Sequence, residues 1–179
     1  LHLRNNGENK KLYININPEF FHVCLADDLQ KRGISIPDAA PMFCMLLRKY
    51  IQNGRISEVR QPFGERILEL RFEYKDALDE INTLCLAVEL MGKYSNVILY
   101  NVKTGIIIGC AHNVGEEKSK LRELAGTLPY IYPTPQEKTD ICEENFENFE
   151  EKFNGNFDKN SVACEIANEY AYMTVSLVK

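Results

Sequence analysis

The stretch at residues 41–74, PMFCMLLRKYIQNGRISEVRQPFGERILELRFEY, sets the tightest constraint on what this chain can fold into. Phe43, Leu46, Leu47 and Tyr50 recur at helical spacing, so one helical face is apolar, and Met42 and Ile51 widen that stripe. Arg48, Lys49 and Gln52 project away from it. Asp38 or Ala40 can cap the start, Pro41 suits the first turn, and Gly54 permits a left-handed stop. The period then changes to two. Residues 55–61 predict one strand, Pro62-Phe63-Gly64 the crossing, and residues 65–74 the return. Leu68, Leu70, Phe72 and Tyr74 share one face of that return strand, and Ile67, Glu69, Arg71 and Glu73 the other. A helix packed on a hairpin, with cations around its rim, is expected.

Alternation adds further strands. Residues 1–4 and 11–17 flank the turn Asn5-Asn6-Gly7-Glu8-Asn9, with Leu12, Ile14 and Ile16 on one face, and Phe21, Val23 and Leu25 continue the sheet after Pro18. A loop with a helical turn near Leu29 leads into the central helix. After a charged turn at 75–80, Leu84, Leu86, Val88 and Leu90 alternate along 81–91, and Gly92-Lys93-Tyr94-Ser95 interrupts. Residues 96–102 and 106–111 complete the set around Lys103-Thr104-Gly105, and 112–132 read as irregular. Pro129, Pro133 and Pro135 then mark a boundary. Beyond it, Phe146, Phe149 and Phe153 suit a helix from about Glu143, Asn154-Gly155-Asn156 a turn, and Val162, Ile166, Tyr170 and Met173 the stripe of a second helix. The expected fold class is α+β. Residues 1–135 form a β-rich antiparallel sheet or sandwich domain with one main packed helix, and residues 136–179 the start of a helical domain.

Charge narrows the partners. The net charge of −5 argues against a polyanionic ligand only if it is spread evenly, and it is not. Residues 137–158 hold eight acids and two lysines, a local charge of −6, which leaves +1 for the rest of the chain. The six cysteines are scattered, with no CxxC and no adjacent His pair, so buried thiols in a reducing compartment are expected, and neither disulfides nor zinc. No signal peptide or membrane-length apolar run is visible, which points to the cytoplasm. The chain begins with Leu1, inside a strand pattern, and is expected to be a fragment lacking an upstream segment.

The sequence offers no catalytic constellation: no Gly-rich phosphate loop, no G-x-S-x-G and no H-E-x-x-H. His2, His22 and His112 lack metal-site spacing. The expectation is a protein that is not an enzyme, with no catalytic residues, metal or cofactor. Its informative polar residues are cations: Arg48, Lys49, Arg55, Arg60, Arg66, Lys93, Lys118, Lys120 and Arg122.

PMFCMLLRKYIQNGRI, the ERI of the return strand, ELMGKYSNVIL and the closing REL…G…Y…P together resemble, in that order, the NFACT family. This is the family of bacterial fibronectin-binding protein A and its relatives in ribosome-associated quality control, and the resemblance runs from Leu1 to about Pro135. It implies a fold similar to the N-terminal domain of formamidopyrimidine-DNA glycosylases, followed by a helix-hairpin-helix-type domain. It also implies binding to a large ribosomal subunit holding peptidyl-tRNA, and recruitment of tRNA, alanyl-tRNA in bacteria, for C-terminal tailing of stalled nascent chains. The family's Asp-Arg dipeptide, linked to tRNA engagement, is Glu65-Arg66 here. Alternation would send these two side chains to opposite faces unless Gly64 leaves both in the turn, and a strand-end ion pair is the plain alternative. Met91-Gly92-Lys93-Tyr94-Ser95-Asn96 reads as a bulge or close backbone approach, with Asn96 bonding the loop backbone and Lys93 offered to a phosphate. The third motif starts at Arg122, and has Ala125-Gly126 where the family usually has Pro-Gly. The candidate RNA-binding residues are therefore Glu65, Arg66, Arg48, Lys49, Lys93 and Arg122. The competing expectations are a surface adhesin with fibronectin as partner, and a glycosylase-like enzyme.

Overall fold

Within each sheet every named strand pairs antiparallel with the strand that follows it in the chain, as the period-two segments predict. The structure is a computed structural model and describes residues 1–26, 39–62, 65–75, 80–115, 117, 122–133, 139–153 and 159–170. The expectations placed on Leu29, Asp38, Phe63, Gly64, Lys118, Lys120, Pro135, Asn154-Gly155-Asn156 and Met173 lie outside these residues. The chain divides into two units, Leu1–Tyr132 and Pro133–Lys179.

In the first unit, β1 (His2–Asn5), β2 (Glu8–Asn15) and β3 (His22–Ala26) form a three-stranded sheet. A five-stranded sheet follows, made of β4 (Arg55–Arg60), β5 (Ile67–Lys75), β6 (Ile81–Glu89), β7 (Asn96–Asn101) and β8 (Ile107–Cys110). Between them lies the helix α1 (Met42–Ile51). Strand alternation divides the larger sheet into two buried faces. Leu70, Phe72, Leu84, Leu86, Val88, Val97 and Leu99 face one core, covered by α1 through Phe43, Leu47, Tyr50 and Ile51 and by Leu12, Ile14 and Val23 of the smaller sheet. Ile67, Cys85, Ala87, Ile98, Tyr100 and Ile107 face the other, covered by Leu124 and Tyr130. This is the expected α+β fold of antiparallel sheets with few helices.

Helix α1 departs from expectation at both ends. Met42 is 79% exposed, because it sits roughly 100° round the helix from Phe43, at the margin of the stripe. The left-handed residue after the helix is Asn53 (φ 63°), not Gly54. Asparagine tolerates that conformation, and Gly54 meets a different demand: a Cβ there would stand 3.1 Å from the Ile51 carbonyl oxygen. Ala40 supplies no cap either, since Pro41 is the N-cap residue and no side chain bonds the first turn.

Leu46 seats the helix on the sheet. A Cβ at Gly109 would lie 2.6 Å from Leu46 Cδ1 and 3.6 Å from Phe43 Cδ2, so the bare glycine backbone makes room for the helix. Leu46 is half-buried and its tip can rotate, so Gly109→Ala should cost about 1 kcal/mol, the low end of overpacking. Leu46→Ala should cost about 2 kcal/mol. The double variant should be less destabilised than the sum by at least about 0.5 kcal/mol, because the new methyl occupies the vacated space. Urea denaturation of the four proteins measures this, and strict additivity would count against the contact.

The second unit contains α2 (Phe146–Phe153) and α3 (Lys159–Glu169). Asn145 Oδ1 accepts from the Asn148 N–H at 2.7 Å, which starts α2 later than Glu143. Phe149, Phe153 and Tyr170 cluster with centroids 5.0 to 6.2 Å apart. Lys152 is held by Glu144 at 2.9 Å and Glu169 at 3.0 Å. Phe146 does not join the apolar cluster and is 75% exposed.

Candidate nucleic-acid interface

The end of the five-stranded sheet where β5 begins, β6 ends and β7 begins brings three of the sequence-derived candidates together. Glu65 and Arg66 precede β5, which starts at Ile67. The turn closes on itself: the Glu65 N–H donates to the Pro62 carbonyl at 3.0 Å, and Gln61 Nε2 donates to the Glu65 carbonyl at 2.8 Å. Both residues therefore lie outside the ladder, where strand alternation does not force them onto opposite faces. The Arg66 carbonyl accepts from the Leu90 N–H at 2.9 Å, which ties it to the segment leading into Gly92. Among the described residues no hydrogen bond or ion pair joins Glu65 to Arg66, so the strand-end ion pair is not formed. The Arg66 side chain is exposed.

Met91 to Asn96 divides its residues between building and display. Gly92 takes φ 58° and opens a single 3-10 turn, Gly92–Tyr94. Ser95 Oγ accepts from the Met91 N–H at 2.9 Å, and the Ser95 N–H donates to the Gly92 carbonyl at 3.0 Å. Asn96 is 2% exposed. Its Oδ1 accepts from the N–H groups of Val97 (2.9 Å) and His112 (3.0 Å), while Nδ2 donates to the His112 carbonyl at 2.8 Å. These bonds satisfy the turn's backbone internally, and leave Lys93 and Tyr94 facing solvent, with Lys93 Nζ 4.9 Å from the Tyr94 ring centroid.

Arg48 and Lys49 lie elsewhere. Both are exposed in the last turn of α1, where the helix dipole favours cations. Lys49 Nζ sits 5.0 Å from the Tyr50 ring centroid, and an Arg48 nitrogen lies 3.8 Å from the Met45 sulfur. A Cβ on Gly54, just after the helix, would lie 3.6 Å from the Glu73 carbonyl, so α1 ends near Glu73. Glu73 lies seven residues along β5 from Arg66, about 23 Å at strand rise. The candidates thus form two groups, Glu65/Arg66/Lys93 and Arg48/Lys49.

Arg122 belongs to neither group. Its two terminal nitrogens donate to the two Glu89 carboxylate oxygens at 2.8 and 2.6 Å, and one also donates to the Ile131 carbonyl at 2.9 Å. Burial pulls the Arg122 pKa down, but its hydrogen bonds to Glu89 and the charge of that carboxylate outweigh it and raise it overall. Tyr130 donates to the same carboxylate at 2.9 Å. Beside it, Glu69 accepts from Arg60 Nε at 3.0 Å, from the Tyr100 hydroxyl at 3.2 Å and from the Tyr132 hydroxyl. Glu69 and Glu89 are both fully buried. Burial pushes the Tyr100 and Tyr130 hydroxyls up, so they stay protonated and donate. The Tyr100 and Tyr130 rings stack at 4.5 Å. Glu89 is the register partner of Ile67, so this network fastens residues 122–132 beneath the end of the sheet that carries Arg66.

Sequence reasoning missed this network, and it missed Tyr94 as a displayed ring. The available signal was a lone glutamate inside an apolar strand, LAVEL and ILELRF, which demands buried partners. Among the described residues, no three His, Cys, Asp or Glu side chains could hold a metal ion, and no helix is long and apolar enough to cross a membrane.

A family model described as NFACT N-terminal and middle domains matches residues 1–176. Curated relatives include the Rqc2 homolog RqcH of Bacillus subtilis (strain 168), 29% identical over 137 residues, which cover 76% of this chain and 23% of that protein. The Rqc2 homolog RqcH of Streptococcus suis (strain 05ZYH33) is 33% identical over 133 residues, 74% of this chain and 23% of that one. The chain therefore spans less than a quarter of the length of these relatives. Among solved structures, the N-terminal domain of fibronectin-binding protein PavA from Streptococcus pneumoniae aligns with a TM-score of 0.81 at 22% identity, covering 99% of this chain and 63% of that one. The N-terminal part of the fibronectin/fibrinogen-binding protein FBPS from Streptococcus suis aligns with a TM-score of 0.78 at 26% identity, covering 99% and 64%.

Proposed function

Because the chain belongs to the NFACT family, matched over residues 1–176, we propose that it is part of a cytoplasmic ribosome-associated quality-control factor. In this reading the whole protein engages a large ribosomal subunit still holding peptidyl-tRNA. It recruits tRNA, alanyl-tRNA in the bacterial case, and the stalled chain gains a C-terminal tail. The protein performs no chemistry itself and works as a platform, because peptide transfer belongs to the ribosome. The relatives named Rqc2 homolog RqcH support the reading.

The observation that carries it is Arg66: an exposed guanidinium outside the strand ladder, with Glu65 beside it and Lys93 displayed on the turn next to it. An arginine fork recognises phosphate or a base edge directionally. The direct experiment is a pulldown of the full-length protein from cell lysate with sequencing of bound RNA, in which ribosomal RNA and tRNA are expected. Within that complex Lys93→Gln should flatten the dependence of log K on log salt by about one unit of slope, as loss of one phosphate contact does. An unchanged slope would remove Lys93 from the interface.

A second reading, fibronectin binding at a surface, is favoured by the structural neighbours described as fibronectin-binding proteins. Salt-insensitive fibronectin binding with no ribosomal RNA in the pulldown would put it first.

A further inference from the structure

Single exposed aromatic rings are common on protein surfaces, but here two stand on neighbouring hydrogen-bonded turns beside a lysine and an arginine. Phe20 is 69% exposed and Tyr94 is 64% exposed. Neither turn is loose. Asn15 Nδ2 donates to the Phe20 carbonyl at 2.9 Å, Asn17 Oδ1 accepts from the Glu19 N–H at 2.9 Å, and the Phe20 N–H donates to the Asn17 carbonyl at 3.2 Å. Ser95 and Asn96 fix the other turn with the bonds described above. The two turns meet at Gly92, where a Cβ would lie 4.0 Å from both the Pro18 carbonyl oxygen and Phe21 Cε1. Lys93 rides on the Tyr94 ring, and Arg66 is bonded through its carbonyl to Leu90, just before this turn.

We infer that these abutting turns form a stacking platform for unpaired nucleotides of a single-stranded RNA segment, with Tyr94 taking a base on its ring and Lys93 the neighbouring phosphate. The inference rests on the RNA-facing reading above and names the feature of RNA that this edge takes. Glu19 and Glu65 also lie here, so Arg66 and Lys93 create no net positive patch, and stacking must supply the affinity. Every base offers a π face to an exposed ring, whereas a duplex keeps its base faces inside and presents mainly its backbone. Preformed turns lower the ordering cost of that contact.

The sequence contains no tryptophan, so Tyr94→Trp in the full chain creates a single indole reporter at the site. The probes are a mixed-sequence RNA of about 12 nucleotides, the same RNA annealed to its complement, and inorganic polyphosphate. The single strand should quench the emission and bind at least about tenfold more tightly than the duplex or polyphosphate. Tyr94→Ala should weaken single-strand binding by about 5- to 100-fold, Tyr94→Phe should retain it, and the exposed site should leave the melt of both unchanged. Equal quenching by all three probes would reduce the site to a charge contact and overturn the inference. So would quenching by none of them, quenching by fibronectin instead, or wild-type affinity in Tyr94→Ala. If Tyr94 proves silent while ribosomal RNA still appears in the pulldown, only the stacking platform falls. If ribosomal RNA and tRNA are absent from the pulldown, the reading beneath it falls.

Discussion

Arg122→Ala should lower the stability of the protein by about 3–5 kcal/mol, the largest loss expected at any of the candidate RNA-binding positions. Its partner Glu89 is fully buried, and the Arg122 side chain is itself only 14% exposed. Truncation leaves a carboxylate in the core with Tyr130 as its remaining hydroxyl donor and strips the fork from its second oxygen. It also frees the Ile131 carbonyl, which Arg122 holds at 2.9 Å. Arg122→Lys should recover only part of the loss, because a point charge cannot bond both oxygens in parallel. Urea denaturation should show a lower midpoint at unchanged slope. A wild-type midpoint in Arg122→Ala would mean that the ion pair does not hold residues 122–132 on the sheet. RNA-binding losses in Arg122 variants therefore need a melt beside them before the residue is assigned to the interface.

Arg66→Lys should do the opposite: weaken tRNA recruitment by about 10- to 100-fold while leaving the melt unchanged. A charge-assisted bond is worth about 1.5–3 kcal/mol, and lysine keeps the charge but loses the fork. The side chain is exposed and makes no ion pair among the described residues, so folding should not register its loss. Glu65→Gln should impair recruitment similarly, with the double variant little worse than either single one if the pair engages RNA as a unit. Glu65→Asp, which restores the dipeptide of the resembled family, should leave recruitment intact or raise it. Full recruitment and tailing in Arg66→Ala would remove the pair from the function.

The ladder was readable because its signal is local. Leu70 and Phe72 face one way and Ile67 and Glu69 the other along nine residues, and the period alone fixes that. The stripe of α1 was readable for the same reason. Burial of Glu69 and Glu89 was not. Apart from Arg60, nine residues from Glu69, their partners lie 31 to 63 residues away in sequence, and the irregular segment that supplies Arg122, Tyr130 and Tyr132 carries no period. The same gap placed Arg122 among solvent-facing cations, since a buried fork and an exposed phosphate contact look alike in one dimension. Gly54 misled because glycine serves close approach as well as positive φ, and Asn53 supplied the left-handed residue instead. The Met91 to Asn96 motif was half legible. Its glycine and its Asn96 bonds to the loop backbone were expected, but the display of Tyr94 emerges only once Ser95 and Asn96 are seen turned inward.

The most direct measurement is co-sedimentation of the full-length protein with large ribosomal subunits carrying peptidyl-tRNA, across a salt series. The account predicts association at low salt, with log K falling linearly in log salt. The slope should be smaller by about three in the Arg48→Gln, Lys49→Gln, Lys93→Gln triple variant, whose melt should match wild type. Absence of the protein from the subunit fraction at low salt, together with fibronectin binding that salt does not weaken, would contradict it.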